Sequence, residues 1–192
     1  MKAPNHISYI YPRKCLFSIT DLIDNVLEKS RLQAEKLGNE LTVDLSDSLG
    51  ELNGDRDRVE RVIFNLLENS NRVTENEKIL LKVSRETVGE TDWVTFEIQD
   101  TGEGISPKVL ESLFKGYTDE TVSSSGFGAE ALLLAITHRL VLAMGGNLNG
   151  KSELGVGSTF TLRLPADMKT HLEKPHVAKA TNLFIRDILN LK

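Results

Sequence analysis

Apolar positions recur at two periods along this chain, and the alternation between them outlines the elements. After Leu16, the residues Ile19, Leu22, Ile23, Val26 and Leu27 follow helical spacing, with Thr20 or Asp21 placed to cap the start and Gly38-Asn39 to stop the helix near Leu37. Leu41, Val43 and Leu45 then alternate with polar residues, the pattern of a strand with one face in water. Gly50 to Gly54 reads as a loop, and Asp55 as the cap of the next helix. That helix, from about Asp55 to Val73, has the cleanest period: Val59, Val62, Ile63, Leu66, Leu67, Ser70 and Val73 make one stripe at about 100° per residue. Strands at 79–83 and 94–98 follow, then a short helix over 107–114 capped by Ser106, and a polar loop over 116–128. Residues 129–144 are helical and apolar on most sides, which predicts a buried helix ended by Gly145-Gly146. Strands at 147–151 and 158–164 close the pattern at Pro165. Several strands mixed with three long helices predict an α+β fold, a two-layer sandwich with a mixed sheet covered on one face.

The ends differ in character from this body. Residues 1–14 carry no period and read as a linker or stray segment, residues 15–165 as the domain, and residues 166–192 as an extension. In that extension Val177, Leu183, Phe184, Ile188, Leu189 and Leu191 can form an amphipathic helix after Lys174-Pro175, read as a linker or packing helix rather than a partner site.

Composition narrows the function classes. A length of 192 residues supports one sizeable core. The net charge of -5 argues against nucleic-acid binding, which calls for a basic stripe. Cys15 is the only cysteine, so there is no internal disulfide, and a cysteine-based metal site is not expected. His138, His171 and His176 have no metal-ligand spacing. No signal-peptide core and no stretch of about 18 apolar residues is present, so the expectation is a cytoplasmic domain without membrane insertion.

The candidate chemistry sits on the second helix and after the third predicted strand. Asn65, Asn69 and Arg72 fall along one margin of the apolar stripe, with Arg58 close by, where a helix meets a cleft. Some thirty residues on, Asp100-Thr101-Gly102-Glu103-Gly104-Ile105 places a carboxylate and two glycines at a strand end. In this order the two segments resemble the N box and G1 box of the GHKL superfamily of ATP-binding proteins, most closely the catalytic, ATP-binding domain of sensor histidine kinases. The likeness spans roughly Cys15 to Pro165. It includes the entry Phe17-Ser18-Ile19-Thr20-Asp21, the lead Gly54-Asp55-Arg56-Asp57-Arg58, an F-box-like Leu113-Phe114-Lys115-Gly116-Tyr117, the segment Arg139 to Asn147 and the hairpin Gly155-Val156-Gly157-Ser158-Thr159-Phe160.

What the resemblance implies is a Bergerat-type fold holding Mg-ATP. Asn69 would offer its oxygen to Mg²⁺. Asn65 would make a second polar contact near the phosphates, and Arg72, where the family usually has Lys, would supply positive charge. Asp100 would accept from the adenine amino group, while Gly102 and Gly104 would let the backbone approach the base. Ile105, Lys115, Tyr117, Gly126, Gly128 and Thr159 complete the implied nucleotide-binding set; no residue is assigned a catalytic role. Asn65 stands where ATP-hydrolysing relatives carry a base, and an amide cannot act as one, so phosphoryl transfer to a histidine on a separate dimerisation domain is implied rather than hydrolysis. A response regulator is the implied partner, and the domain alone is expected to be monomeric. His6 lacks the acidic neighbour of the family's phosphoacceptor, and Pro12 forbids a long helix there.

One segment departs from the family. Aligned from Leu134-Ala135-Ile136, its three G2-box glycines are replaced by Ala129, Ala131 and Leu133; aligned from the left, Gly126 and Gly128 fit but the third glycine is missing. Alanine and leucine favour helix over glycine by about 1 kcal/mol per position, which predicts that the helix extends back into the lid. No Lys or Arg lies between Tyr117 and Thr137, whereas Asp119, Glu120 and Glu130 do. Two readings follow: a working kinase domain with an unusual lid, or a degenerate domain with weak or no nucleotide binding that regulates or docks. A switch kinase acting on a partner's serine shares the first two boxes, but the Arg139 to Asn147 segment and the late hairpin fit the sensor kinases better.

Overall fold

The computed structural model describes residues 14–107, 110, 111 and 129–168, with no side-chain description for 129–132. All of the expected N-terminal linker but Lys14, the loop over 116–128, most of the short helix over 107–114 and nearly all of the C-terminal extension lie outside the described residues. Within them the order is β1 (Lys14–Ser18), α1 (Ile19–Lys36), β2 (Glu40–Leu45), β3 (Glu51–Asp55), α2 (Arg56–Val73), β4 (Lys78–Val88), β5 (Thr91–Asp100), α3 (Ala129–Ala143), β6 (Asn147–Glu153) and β7 (Gly157–Pro165).

The main sheet runs β2-β4-β5-β7-β6, with β2 and β4 parallel and the other pairs antiparallel. Every second residue turns to the helices: Ile79, Leu81 and Val83 on β4, Val94, Phe96 and Ile98 on β5, and Phe160, Leu162 and Leu164 on β7 are all buried. Against them pack Ile19, Leu22, Ile23 and Val26 of α1, Val59, Val62, Ile63, Leu66 and Leu67 of α2, and Leu134 and Val141 of α3. The two-layer α+β sandwich expected from the periodicity is therefore the fold. No described helix is long and apolar enough to cross a membrane.

Four local expectations need correction. The cap of α1 is Ser18, not Thr20 or Asp21: its extended backbone at the end of β1 lets its hydroxyl accept from the Asp21 amide at 3.2 Å. Of the expected loop from Gly50 to Gly54, residues 51–54 are instead most of β3, which pairs antiparallel with β1 from Ser18↔Glu51 to Lys14↔Asp55. The partner lies far away in sequence, so local composition could not announce the strand. The strands β4 and β5 are also longer than their apolar cores, meeting in a hairpin at Gly89, where φ is +63°. Finally, α3 is buried on one side only, for Arg139, Leu142 and Ala143 face outward. Its end does follow the glycine signal: Gly145 takes φ +77°, and Gly145 and Gly146 donate to the carbonyls of Leu142 and Val141 at 3.1 and 3.0 Å.

Past Pro165 the chain continues along the small sheet. The Asn53 amide donates to Ala166 at 2.8 Å, the Met168 amide donates to Asn53 at 2.9 Å, and Lys14 pairs with Asp167 at 2.6 Å. Met168 is buried over Gly54, where an added Cβ would stand 2.5 Å from the thioether sulfur.

Candidate functional site

The site begins with how α2 is held. Asp55 caps its start, accepting from the Arg58 amide at 3.1 Å and pairing with the Arg58 side chain. At its far end the buried Asn39 side chain donates to the carbonyls of Asn71 (3.3 Å) and Thr74 (2.9 Å), which no intrahelical amide reaches. Between these anchors the apolar stripe fixes the rotation of the helix, so the margin bearing Asn65, Asn69 and Arg72 has one orientation only.

Asp100 ends β5 on the helix-facing side of the sheet and is 6% exposed. Its Oδ1 accepts from the amides of Gly102 (3.2 Å) and Ser158 (3.1 Å), and its Oδ2 from the Ser70 hydroxyl (3.1 Å). Burial pushes its carboxyl above the ordinary aspartate value, and the hydrogen bonds from Ser70, Gly102 and Ser158 pull against that. The result is a carboxylate locked in place by α2, the following loop and β7, with acceptor capacity left on Oδ2.

The two glycines after it stand against the protein's own backbone. A Cβ on Gly102 would stand 2.1 Å from the carbonyl oxygen of Val73, and one on Gly104 the same distance from that of Glu153. They therefore let the loop press on the protein's own backbone, at the end of α2 and at the turn of the β6–β7 hairpin. Hydrogen bonds seal both contacts: Glu103 donates to Val73 (3.2 Å), Gly155 to Glu103 (2.8 Å), and Ile105 to the Ser152 hydroxyl (2.7 Å).

On the α2 margin the two asparagines are in unlike states. The Nδ2 of Asn65 donates to the hydroxyl of Thr137 on α3 at 3.1 Å. The Oδ1 of Asn69 is buried and has no partner among the described residues. Arg72 is exposed, and its charge opposes the burial that raises the carboxyl of Glu68. Thr159 is separated from this group. On β7 it pairs with Gln99 and Lys151, so it lies on the open face of the sheet, while its neighbour Ser158 turns toward Asp100. Lys115, Tyr117, Gly126 and Gly128 lie outside the described residues.

Sequence reasoning passed over Ser70, Ser152, Ser158 and Thr137. Two of them carried a signal. Ser70 is a hydroxyl inside an apolar stripe, and Ser158 shares the parity of Phe160 and Leu162 on its strand. Among the described residues no cluster of three or more His, Cys, Asp or Glu side chains could hold a metal.

Residues 54–168 match the sequence model of the HATPase_c family, the histidine kinase-, DNA gyrase B- and HSP90-like ATPases. The chain belongs to this family. Within the HATPase_c family its relatives include hybrid signal transduction histidine kinase B of Dictyostelium discoideum, 31% identical over 152 residues, which are 78% of this chain and 8% of that protein. Sensor protein TorS of Escherichia coli (strain K12) is 42% identical over 119 residues, 62% of this chain and 12% of TorS. Phosphotransferase RcsD of the same organism is 29% identical over 150 residues, 78% of this chain and 17% of RcsD. The chain thus spans less than a fifth of the length of these curated relatives. Among solved structures, full-length ShkA in complex with AMPPNP aligns with a TM-score of 0.67 and 28% identity, over 82% of this chain and 31% of ShkA.

Proposed function

We propose that this HATPase_c chain is the ATP-binding domain of a cytoplasmic sensor histidine kinase, which holds Mg-ATP and presents its γ-phosphoryl group to a histidine on a separate dimerisation domain that in turn serves a response regulator. The observation that carries the reading is Asp100. A carboxylate this buried is unfavourable unless its acceptors are used, and three donors fix it while Oδ2 keeps a free lone pair. An exocyclic amino group, which adenine has at the position where guanine has a carbonyl, satisfies that lone pair.

The donor set also fits a divalent cation. The buried, unpartnered Oδ1 of Asn69 is a hard oxygen with no proton of its own, and Asn65 stands one turn before it. Bound Mg²⁺ would supply charge neutralisation to the phosphates. Asn65 cannot accept a proton from water, so the residues present position a phosphoryl group rather than activate a hydrolytic nucleophile.

A second reading, a domain that regulates or docks with weak or no nucleotide binding, draws on α3. Its helix begins at Ala129, so positions 129, 131 and 133 are helical where the family resemblance places glycine. A calorimetric titration with ADP and Mg²⁺ tests the first reading; no heat of binding at millimolar ADP would overturn it. Where ADP binds, incubation with ATP and the histidine-bearing domain separates the two, since acid-labile phosphate on that domain appears only in the kinase reading.

A further inference from the structure

The orientation of the Asn65 carboxamide is settled by a hydroxyl group on another helix. Thr137 is fully buried on α3 and lies 2.8 Å from the carbonyl oxygen of Leu133, one turn earlier. A carbonyl has no proton to give, so the single proton of the hydroxyl goes to Leu133. The other contact of that hydroxyl, 3.1 Å from the Asn65 side chain, must then receive a proton, and only Nδ2 of the carboxamide can supply one. The oxygen and nitrogen of an amide diverge from one carbon. Anchoring Nδ2 on α3 therefore turns Oδ1 away from that helix.

Asn65 shares the margin of α2 with Asn69, four residues on, whose own Oδ1 is buried and unpartnered. Phosphate oxygens accept hydrogen bonds and find nothing to pair with in a carboxamide oxygen. A hard cation, or the water around it, does. The clamp depends on α3 being helical as far back as Leu133, because only then does that carbonyl stand one turn below Thr137. The residue that replaces a glycine of the family pattern is thus part of the device.

We infer that Thr137 is a positioning residue: its hydroxyl holds the Asn65 carboxamide with the oxygen toward the divalent cation of the bound nucleotide, and so sets how strongly nucleotide binding depends on that cation. The inference rests on the nucleotide reading given above. It gives a role to a buried threonine outside the two motifs.

The test is calorimetric titration of the full chain with ADP, once at fixed Mg²⁺ and once in EDTA, for the unmodified protein, Thr137→Val and Thr137→Ser. Valine keeps the shape of threonine and removes both hydrogen bonds. Disturbing a partner that orients a metal ligand typically lowers metal affinity 10–100-fold, so T137V is expected to weaken ADP binding about tenfold in Mg²⁺ and to leave it within about twofold in EDTA. T137S is expected to restore the Mg²⁺ value. Equal losses under both conditions, or no loss in Mg²⁺, overturn the inference and leave Thr137 as a packing contact between α2 and α3. If the unmodified protein binds no ADP, the nucleotide reading fails and takes this inference with it; the first titration tells the two failures apart. Should T137V not fold, the Asn65 side-chain amide resonances of the unmodified protein, assigned with Asn65→Asp, carry the test. They should exchange slowly and shift with ADP and Mg²⁺ but not with ADP in EDTA. Rapid exchange, or the same shift in both, refutes the orientation.

Discussion

Replacing Gly104 with alanine should cost far more than replacing Gly155, although the two glycines share a backbone conformation. Their φ values are +73° and +75°. Left-handed backbone costs an L-residue about 1–2 kcal/mol wherever it occurs, so that part is common to both variants. The surroundings differ. A Cβ on Gly155 has no atom within 4 Å, while one on Gly104 stands 2.1 Å from the Glu153 carbonyl oxygen and 3.1 Å from the Leu154 Cα. Those are backbone atoms that no rotamer change can move, and overpacking of this kind adds about 1–3 kcal/mol. Gly102 supplies the complementary control: its φ is not positive, yet its Cβ would meet the Val73 carbonyl oxygen at 2.1 Å. G155A thus carries the dihedral cost, G102A the steric cost, and G104A both. At about 2–4 °C per kcal/mol for a domain of this size, G155A should melt about 4 °C below the unmodified protein and G104A about 6 °C lower again. Urea unfolding, with thermal melts alongside, measures the three differences. The loop bearing Gly104 also donates from Ile105 to Ser152 and accepts from Gly155 at Glu103, so G104A should weaken ADP binding more than G155A does. If G104A and G155A agree within about 0.5 kcal/mol, the close approach is no constraint and the reasoning fails.

Other perturbations probe the anchors around the site. Asp100→Asn keeps an oxygen for the Gly102 and Ser158 amides and lets Ser70 reverse its hydroxyl, so the fold should survive. The amide then opposes an adenine amino group with N–H, and ADP binding should fall at least about tenfold by calorimetry, the equivalent of one lost hydrogen bond to a charged group. The same variant tests the raised carboxyl. Native Asp100 binds its proton more tightly than the unfolded chain does, so it contributes stability at low pH that is lost as pH rises from the ordinary aspartate value through the raised one. D100N should flatten that fall in urea melts taken across pH; parallel profiles would count against the assigned burial. Asn39→Ala leaves the carbonyls at the end of α2 without their donor and should cost about 2 kcal/mol, read from the urea midpoint. A value near zero would mean that another donor reaches those groups.

Much of the fold was legible because the forces that shape it act over short stretches of chain. The stripe from Val59 to Leu67 determined α2 and its buried face, Asp55 its start, and the alternation in β5 and β7 the two sides of the sheet. Residue chemistry also singled out Asp100 and the asparagine pair, since a carboxylate and two carboxamides beside apolar faces need a reason to be there. Tertiary structure decided everything that depends on which distant segment arrives. β3 is a strand because β1 pairs with it, and the ends of α2 and β6 press on Gly102 and Gly104 so closely that a side chain at either would clash. Ser158 rather than Thr159 meets Asp100, because one step along a strand reverses the face. Asn65 shows its oxygen because a threonine 72 residues away takes its nitrogen. Periodicity and capping are local and are written in the residues themselves, whereas hydrogen-bond partners and backbone contacts exist only once the chain has brought them together.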